Sequence, residues 1–143
     1  MSTLERAITI AAQAHQGQTD KAHEPYILHP IRVMLRLSTP DERMAAVLHD
    51  LLEDTDWSRM DLEREGFSRA VLDAVEALTR RSDETYEDFL HRVSLNPIAL
   101  RVKLADLEDN LDASRIAQPT DRDVRRMEKY RAARTLLESV GAG

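Results

Sequence analysis

The sequence predicts an all-α fold of about eight helices in one domain. Three observations carry that expectation. Ser2 with Glu5, Thr39 with Glu42 and Thr120 with Asp123 have the spacing of helix-opening caps, the last with Asp in place of the usual Glu. Pro40 and Pro97 stand directly behind the cap residues Thr39 and Asn96, in the first turn, where a missing N–H costs nothing. No stretch alternates apolar and polar residues as a half-buried strand would.

The elements follow in order. A first helix near 3–15 opens at Ser2 and ends at His15, whose ring either satisfies a terminal carbonyl or orients a ligand from behind. Gln16 to Pro25 is polar and without period, the profile of a functional loop. A helix near 30–37 leads to the cap at Thr39 and a helix over 40–53. Trp57 then serves as a packing anchor. Helices near 58–65, 68–79 and 83–94 come next; Val71, Val75 and Leu78 form one apolar face, and His91 beside Arg92 reads as surface. Helices near 97–112 and 120–139 complete the set, the last with Val124, Met127 and Leu137 on its apolar side, before a Gly141-Ala142-Gly143 tail. Its basic stripe of Arg122, Arg125, Arg126 and Lys129 is interleaved with Asp121, Asp123 and Glu128, so it reads as a solvated face rather than a site.

Composition narrows the function. With 143 residues and 42% hydrophobic content, the chain suits one compact domain, taken as residues 1–143. A net charge of −6 argues against long nucleic acid as a partner, while a local basic patch remains compatible with a small anion. The chain has no cysteine, so disulfides, thiolate metal sites and cysteine nucleophiles are excluded. Neither a signal-peptide pattern nor a run of about 18 apolar residues is present, and a cytoplasmic protein without a membrane span is expected. Oligomeric state is not legible.

The most informative stretch is His49-Asp50-Leu51-Leu52-Glu53-Asp54, embedded in Ala45-Ala46-Val47-Leu48. On one continuous helix its four ionisable groups would share an arc of roughly 140°. Burying them requires a cation or proton-transfer chemistry. Alternatively Glu53 and Asp54 form a solvated last turn, although carboxylates there face the negative end of the helix dipole. A second polar face comes from Lys103, Asp106 and Asn110. With His29, His49 and Asp50, Asp106 completes a nitrogen and oxygen donor set suited to Mn, Fe, Co, Ni or Zn. A metal there would acidify water and polarise a phosphoryl oxygen, with Glu53 or Asp54 moving the proton.

Four blocks carry a family resemblance: Ala14-His15-Gln16-Gly17-Gln18; Glu24-Pro25-Tyr26-Ile27-Leu28-His29-Pro30; Leu48-His49-Asp50 with Glu53-Asp54-Thr55; and Val102-Lys103-Leu104-Ala105-Asp106 with Asn110. In this order they resemble the hydrolase domain of the RelA/SpoT alarmone enzymes, and most closely the stand-alone small alarmone hydrolases. The resemblance implies an all-helical HD-type domain with one manganese ion held by His29, His49, Asp50 and Asp106. It implies Glu53 and Asp54 as the acids that activate water, and Lys21, Tyr26 and Asn110 as nucleotide-pocket residues. The implied reaction removes pyrophosphate from the 3′ position of guanosine tetra- or pentaphosphate, giving GDP or GTP.

The chain also departs from that pattern. Many long family members have Arg-Lys where this chain has Asp20-Lys21, and a carboxylate cannot stack on a base as a planar cation does. His23 stands where the family often has Gly, and Leu107-Glu108-Asp109-Asn110-Leu111-Asp112 is more acidic than the usual continuation. No synthetase domain follows, so the expected activity is degradative. The alternatives are another phosphorylated nucleotide as substrate, such as an adenosine alarmone or the 2′-phosphate of NADPH, and a nucleotide-binding module without turnover.

Overall fold

The computed structural model describes residues 1–112 and 118–141, so Ala142 and Gly143 of the tail lie outside the described residues. Among those described, nine helices form and no strand: α1 (Leu4–Ala14), α2 (Leu28–Leu35), α3 (Pro40–Leu48), α4 (Leu51–Asp54), α5 (Arg59–Arg64), α6 (Arg69–Ala77), α7 (Tyr86–Ser94), α8 (Pro97–Asn110) and α9 (Asp121–Gly141). None of them is long and apolar enough to cross a membrane.

Local chemistry starts most of these helices. Thr39, Ser58, Ser68, Thr85 and Asn96 each accept a hydrogen bond from a first-turn backbone N–H through the side chain, a contact worth about 1 kcal/mol apiece. At α1 the cap is Thr3, not Ser2: Thr3 accepts from the Arg6 N–H, while the Ser2 N–H is drawn away to the Gly66 carbonyl. His15 closes α1 as its C-cap and is buried. Trp57 is half-buried and packs against the core, as a packing anchor should.

Two helices form the centre. α3 contacts α1, α2, α6 and α8, and α8 contacts α2, α3, α6, α7 and α9. Ala45, Ala46, Val47 and Leu48 are all fully buried, so the second half of α3 has no solvent face, while Asp41 and Arg43 in its first half are half-buried. α8 buries Val102, Ala105 and Leu107 but also the acids Asp106 and Asp109. Their carboxylates therefore need partners supplied by neighbouring helices.

The expected continuous helix over 40–53 is broken. It stops at Leu48, and α4 restarts at Leu51. The His49 N–H and its Nδ1 both turn back to the Ala46 carbonyl, at 3.3 and 2.6 Å, and Asp50 takes φ −100° and ψ 2°. The shared arc expected for His49, Asp50, Glu53 and Asp54 therefore does not exist. The break instead turns Asp50 toward Tyr26, whose hydroxyl donates to its Oδ2.

The loop after α1 is compact. Its ends are joined by a bridge between Thr19 and Pro25, and Asp20 Oδ1 accepts the N–H groups of Ala22 and Glu24 at 2.8 and 3.0 Å. His23 adopts φ 64°, the left-handed conformation glycine takes without strain. The bend is thus built as a glycine would build it, with the histidine Cβ carried as a cost.

Candidate active site

His29 and Arg32 lie one turn apart on α2, and Asp106 and Asp109 one turn apart on α8. The two pairs interlock. His29 Nδ1 donates to Asp109 Oδ2 at 2.6 Å, and Arg32 holds the same carboxylate through Nε at 2.8 Å and a terminal nitrogen at 3.2 Å. His29 Nε2 then faces Asp106 Oδ1 at 2.9 Å. Asp109 is 0% exposed, and this carboxylate behind a histidine is the arrangement that fixes the ring tautomer of a metal-ligating imidazole. Sequence reasoning missed both Asp109 and Arg32; the available signal was their position three residues from Asp106 and His29.

His49 arrives from the end of α3. With Nδ1 donating to the Ala46 carbonyl, the Nε2 lone pair is left pointing at Asp50 Oδ2 and Asp106 Oδ1, at 3.1 and 3.3 Å. Nε2 is buried and has no hydrogen-bond partner. Ligand atoms of His29, His49 and Asp50 all lie within 4.8 Å of one another. Carboxylate oxygens and imidazole lone pairs converge with too few protons between them, a conflict that a divalent cation resolves. The donors present therefore fit a metal ion. Electrostatics point the same way. Burial opposes protonation of His49, but the charges and hydrogen bonds of Asp50 and Asp106 outweigh it and raise its pKa well above the usual value.

Asp106 is the most heavily used acid. Lys103 Nζ donates to its Oδ2 at 2.8 Å and Asn110 Nδ2 to its Oδ1 at 3.3 Å, so the face expected from Lys103, Asp106 and Asn110 forms. Burial alone would raise the Asp106 pKa; Lys103, His29 and His49 overturn that and hold it well below the ordinary value.

A cavity of about 330 Å³ opens onto the cluster, and its lining includes Tyr26, His29, His49, Asp50, Glu53, Asp106 and Asn110. Glu53 Oε1 accepts the Arg80 backbone N–H at 3.1 Å, and burial, then the charges of Asp50 and Asp54, push its pKa up. Asp54 is exposed and does not line the cavity. Lys21 is also exposed and outside the lining; its charge acts on Asp123 at the start of α9. Tyr26 packs against the rings of His15 and His29, with centroids 4.9 and 5.7 Å apart. The remaining lining comes from α7, α8, α9 and the end of α6: Leu78, Arg80, Tyr86, Phe89, Lys103, Lys129 and Tyr130. Lys129, read from sequence as part of a solvated stripe, faces this cavity.

Comparison with known proteins gives concordant results. The sequence profile of the HD domain matches residues 7–131. A guanosine-3′,5′-bis(diphosphate) 3′-pyrophosphohydrolase of Aquifex aeolicus is 32% identical over 76% of this chain and 17% of its own length. The bifunctional (p)ppGpp synthase/hydrolase SpoT of Escherichia coli K12 is 32% identical over 94% of this chain and 20% of its own length. The chain thus spans a fifth or less of these curated relatives. A solved structure of a metazoan SpoT ortholog, described as hydrolysing ppGpp, superimposes with a TM-score of 0.76 at 26% identity, covering 98% of this chain and 85% of that one. The fold, the clustered histidines and acids and these matches lead to one conclusion: the chain belongs to the HD-domain family, in its RelA/SpoT branch.

Proposed function

We propose that the chain removes pyrophosphate from the 3′ position of guanosine tetra- and pentaphosphate, giving GDP or GTP, in a reaction that depends on one divalent ion, manganese. The observation that carries this reading is the meeting of His29, His49, Asp50 and Asp106 at a cavity that also contains an acid, Glu53, kept apart from them by its bond to the Arg80 backbone. Relatives named for this activity support the choice of substrate. The partner is a small phosphorylated nucleotide, and the setting is cytoplasmic.

His29, His49, Asp50 and Asp106 would hold the ion; their mixed nitrogen and oxygen character suits manganese and tolerates other transition metals. When bound, it supplies Lewis acidity, acidifying water and polarising the phosphoryl oxygen. Glu53 accepts the proton from the attacking water, and a pKa raised by partial desolvation and by the charges of Asp50 and Asp54 makes it a stronger base than an unperturbed carboxylate. Asp54 supports that role through its charge, which helps keep the Glu53 pKa high. Tyr26 holds Asp50 in position, Lys103 offsets the charge of Asp106, and Tyr26 and Asn110 present polar groups to the nucleotide. Incubation of the purified protein with manganese and guanosine tetraphosphate is expected to release GDP and pyrophosphate; absence of turnover would reject the reading.

A second reading changes only the base. Asp20 occupies the position where many long relatives carry a base-stacking Arg, and its Oδ1 is committed to the N–H groups of Ala22 and Glu24. Guanine therefore lacks that cation, which favours testing an adenosine alarmone and NADPH beside the guanosine substrate. A decisive preference for the guanosine alarmone would eliminate this second reading.

A further inference from the structure

Three cationic side chains line the cavity, and among the described residues only Lys103 is paired with a carboxylate. Lys103 is paired with Asp106 at 2.8 Å. Arg80 and Lys129 have no carboxylate partner among the described residues, although Glu53 and Asp50 line the same cavity. Both lie against one aromatic ring: the Arg80 guanidinium carbon is 5.6 Å from the Tyr86 centroid and Lys129 Nζ is 4.1 Å from it. The ring attracts each cation but cancels neither, and both lie within 5.6 Å of its centroid. The Tyr86 hydroxyl is buried and lacks a hydrogen-bond partner. The exposed Arg80 guanidinium and Lys129 ammonium thus flank the half-buried Tyr86 at the cavity, and the acceptor recorded for the Arg80 side chain is a single long contact, to the Glu84 carbonyl at 3.4 Å. Arg80 comes from the segment after α6, Tyr86 from the first residue of α7 and Lys129 from α9, so the gathering is a product of tertiary structure rather than of one basic helix.

We propose that Arg80, Tyr86 and Lys129 form an anion subsite that binds a second phosphate-bearing group of the substrate, remote from the phosphate attacked at the histidine and aspartate cluster. The Arg80 backbone holds Glu53 while its side chain reaches Tyr86, so this residue links the acid to the subsite. The ligand chemistry is that of a diphosphate: several oxygens on one centre, each able to accept from a separate donor. A substrate phosphorylated at two ends is favoured over one with phosphate at the scissile end alone. The inference rests on the alarmone reading only for its choice of test substrate.

The decisive experiment compares manganese-loaded wild type with Arg80→Gln, Lys129→Gln and the double variant on guanosine 3′,5′-bis(diphosphate) and on guanosine 3′-diphosphate with a free 5′-hydroxyl. Arg80→Gln keeps the backbone N–H that anchors Glu53. The wild type is expected to prefer the doubly phosphorylated substrate in kcat/KM. The double variant should lose at least about tenfold of that preference, mainly through KM, the scale of one charge-assisted contact. An unchanged preference overturns the proposal. A second measurement does not depend on turnover: titration of GDP into metal-free protein should show weaker binding and a shallower salt dependence in the double variant, with a smaller loss in Tyr86→Phe. If neither substrate is hydrolysed by the wild type, the alarmone reading fails while the GDP titration still decides the subsite. Equal GDP affinity in wild type and double variant overturns it.

Discussion

Replacing Asp109 by Asn tests the site through a residue that lies outside the cavity lining and acts on it through His29. Asp109 Oδ2 accepts from His29 Nδ1 at 2.6 Å and from Arg32 at 3.2 Å, while Oδ1 accepts from Arg32 Nε at 2.8 Å. An amide offers one acceptor oxygen and one donor nitrogen in the same outline. If its oxygen faces His29, its NH2 group meets Arg32 donor to donor. If it turns over, its NH2 faces Nδ1, and the imidazole must shift its proton to Nε2, the atom aimed at the cluster. Either outcome disturbs His29. Changes of this kind behind a ligating histidine typically weaken metal binding about 10- to 100-fold. At a metal concentration of about 100 times the wild-type Kd, binding stabilises the native state by about 2.7 kcal/mol. With the weaker affinity the same concentration gives only about 0.4–1.4 kcal/mol. Thermal melts with and without manganese read this directly: the metal-induced rise in Tm should shrink to half or less. Chelator competition would give the Kd independently. An unchanged metal-induced shift, in a variant that still melts cooperatively, would refute the reasoning that Asp109 sets the His29 tautomer.

Further outcomes follow from the same structure. Glu53→Gln should retain manganese binding and lose about 10²- to 10⁴-fold in kcat, as for removal of a general base, whereas Asp106→Ala should lose both metal, by direct metal analysis, and turnover. His23→Gly removes a Cβ from a residue at φ 64° and is expected to stabilise the fold by up to about 1 kcal/mol in urea melts; a destabilised variant would show that the histidine side chain contributes more than the strain costs. Glu84 accepts two bonds from Arg92, each 2.9 Å, and its pKa is pushed down to about 2, by Arg92 foremost and then by the Arg81 N–H. A depressed carboxylate stabilises the fold fully above its unfolded pKa, near 4.5, and that stabilisation fades as pH falls toward 2. Wild type should therefore exceed Glu84→Gln in urea midpoint at pH 7, and the gap should close on acidification; a gap constant from pH 7 to pH 2 would contradict the sign.

Much of the site was legible because its residue types are chemically odd where they occur. His49 and Asp50 interrupt an apolar run, and Asp106 sits among Val102, Leu104 and Ala105; such residues in a core imply partners. Less legible was anything decided by tertiary packing. Asp109 lies in an acidic run that reads as solvated, and only the approach of α2 with His29 and Arg32 buries it. Lys129 is exposed, as the charged stripe on its helix suggests, but only the docking of α7 against α9 sets its ammonium over Tyr86 at the cavity rim. The break at Asp50 was hidden because hydrophobic period continues through Leu51, while the contacts found at the break, His49 Nδ1 to the Ala46 carbonyl and the hydroxyl of Tyr26, 24 residues earlier, to Asp50, are not encoded in that period. Caps were read well in general, but the choice between Ser2 and Thr3 turned on the Gly66 carbonyl, a contact no local pattern encodes.

The placement of α3 at the centre of the molecule has a consequence for dynamics. Its last turn, Ala45 to His49, is wrapped on all sides by α1, α2, α6 and α8. The backbone amides there have no low-energy local opening and should exchange with solvent only when the whole domain unfolds. The end of α3 that carries His49 is then as long-lived as the fold itself. The cavity leaves the opposite side of the cluster open, so ligands can come and go through it while the helix behind stays folded.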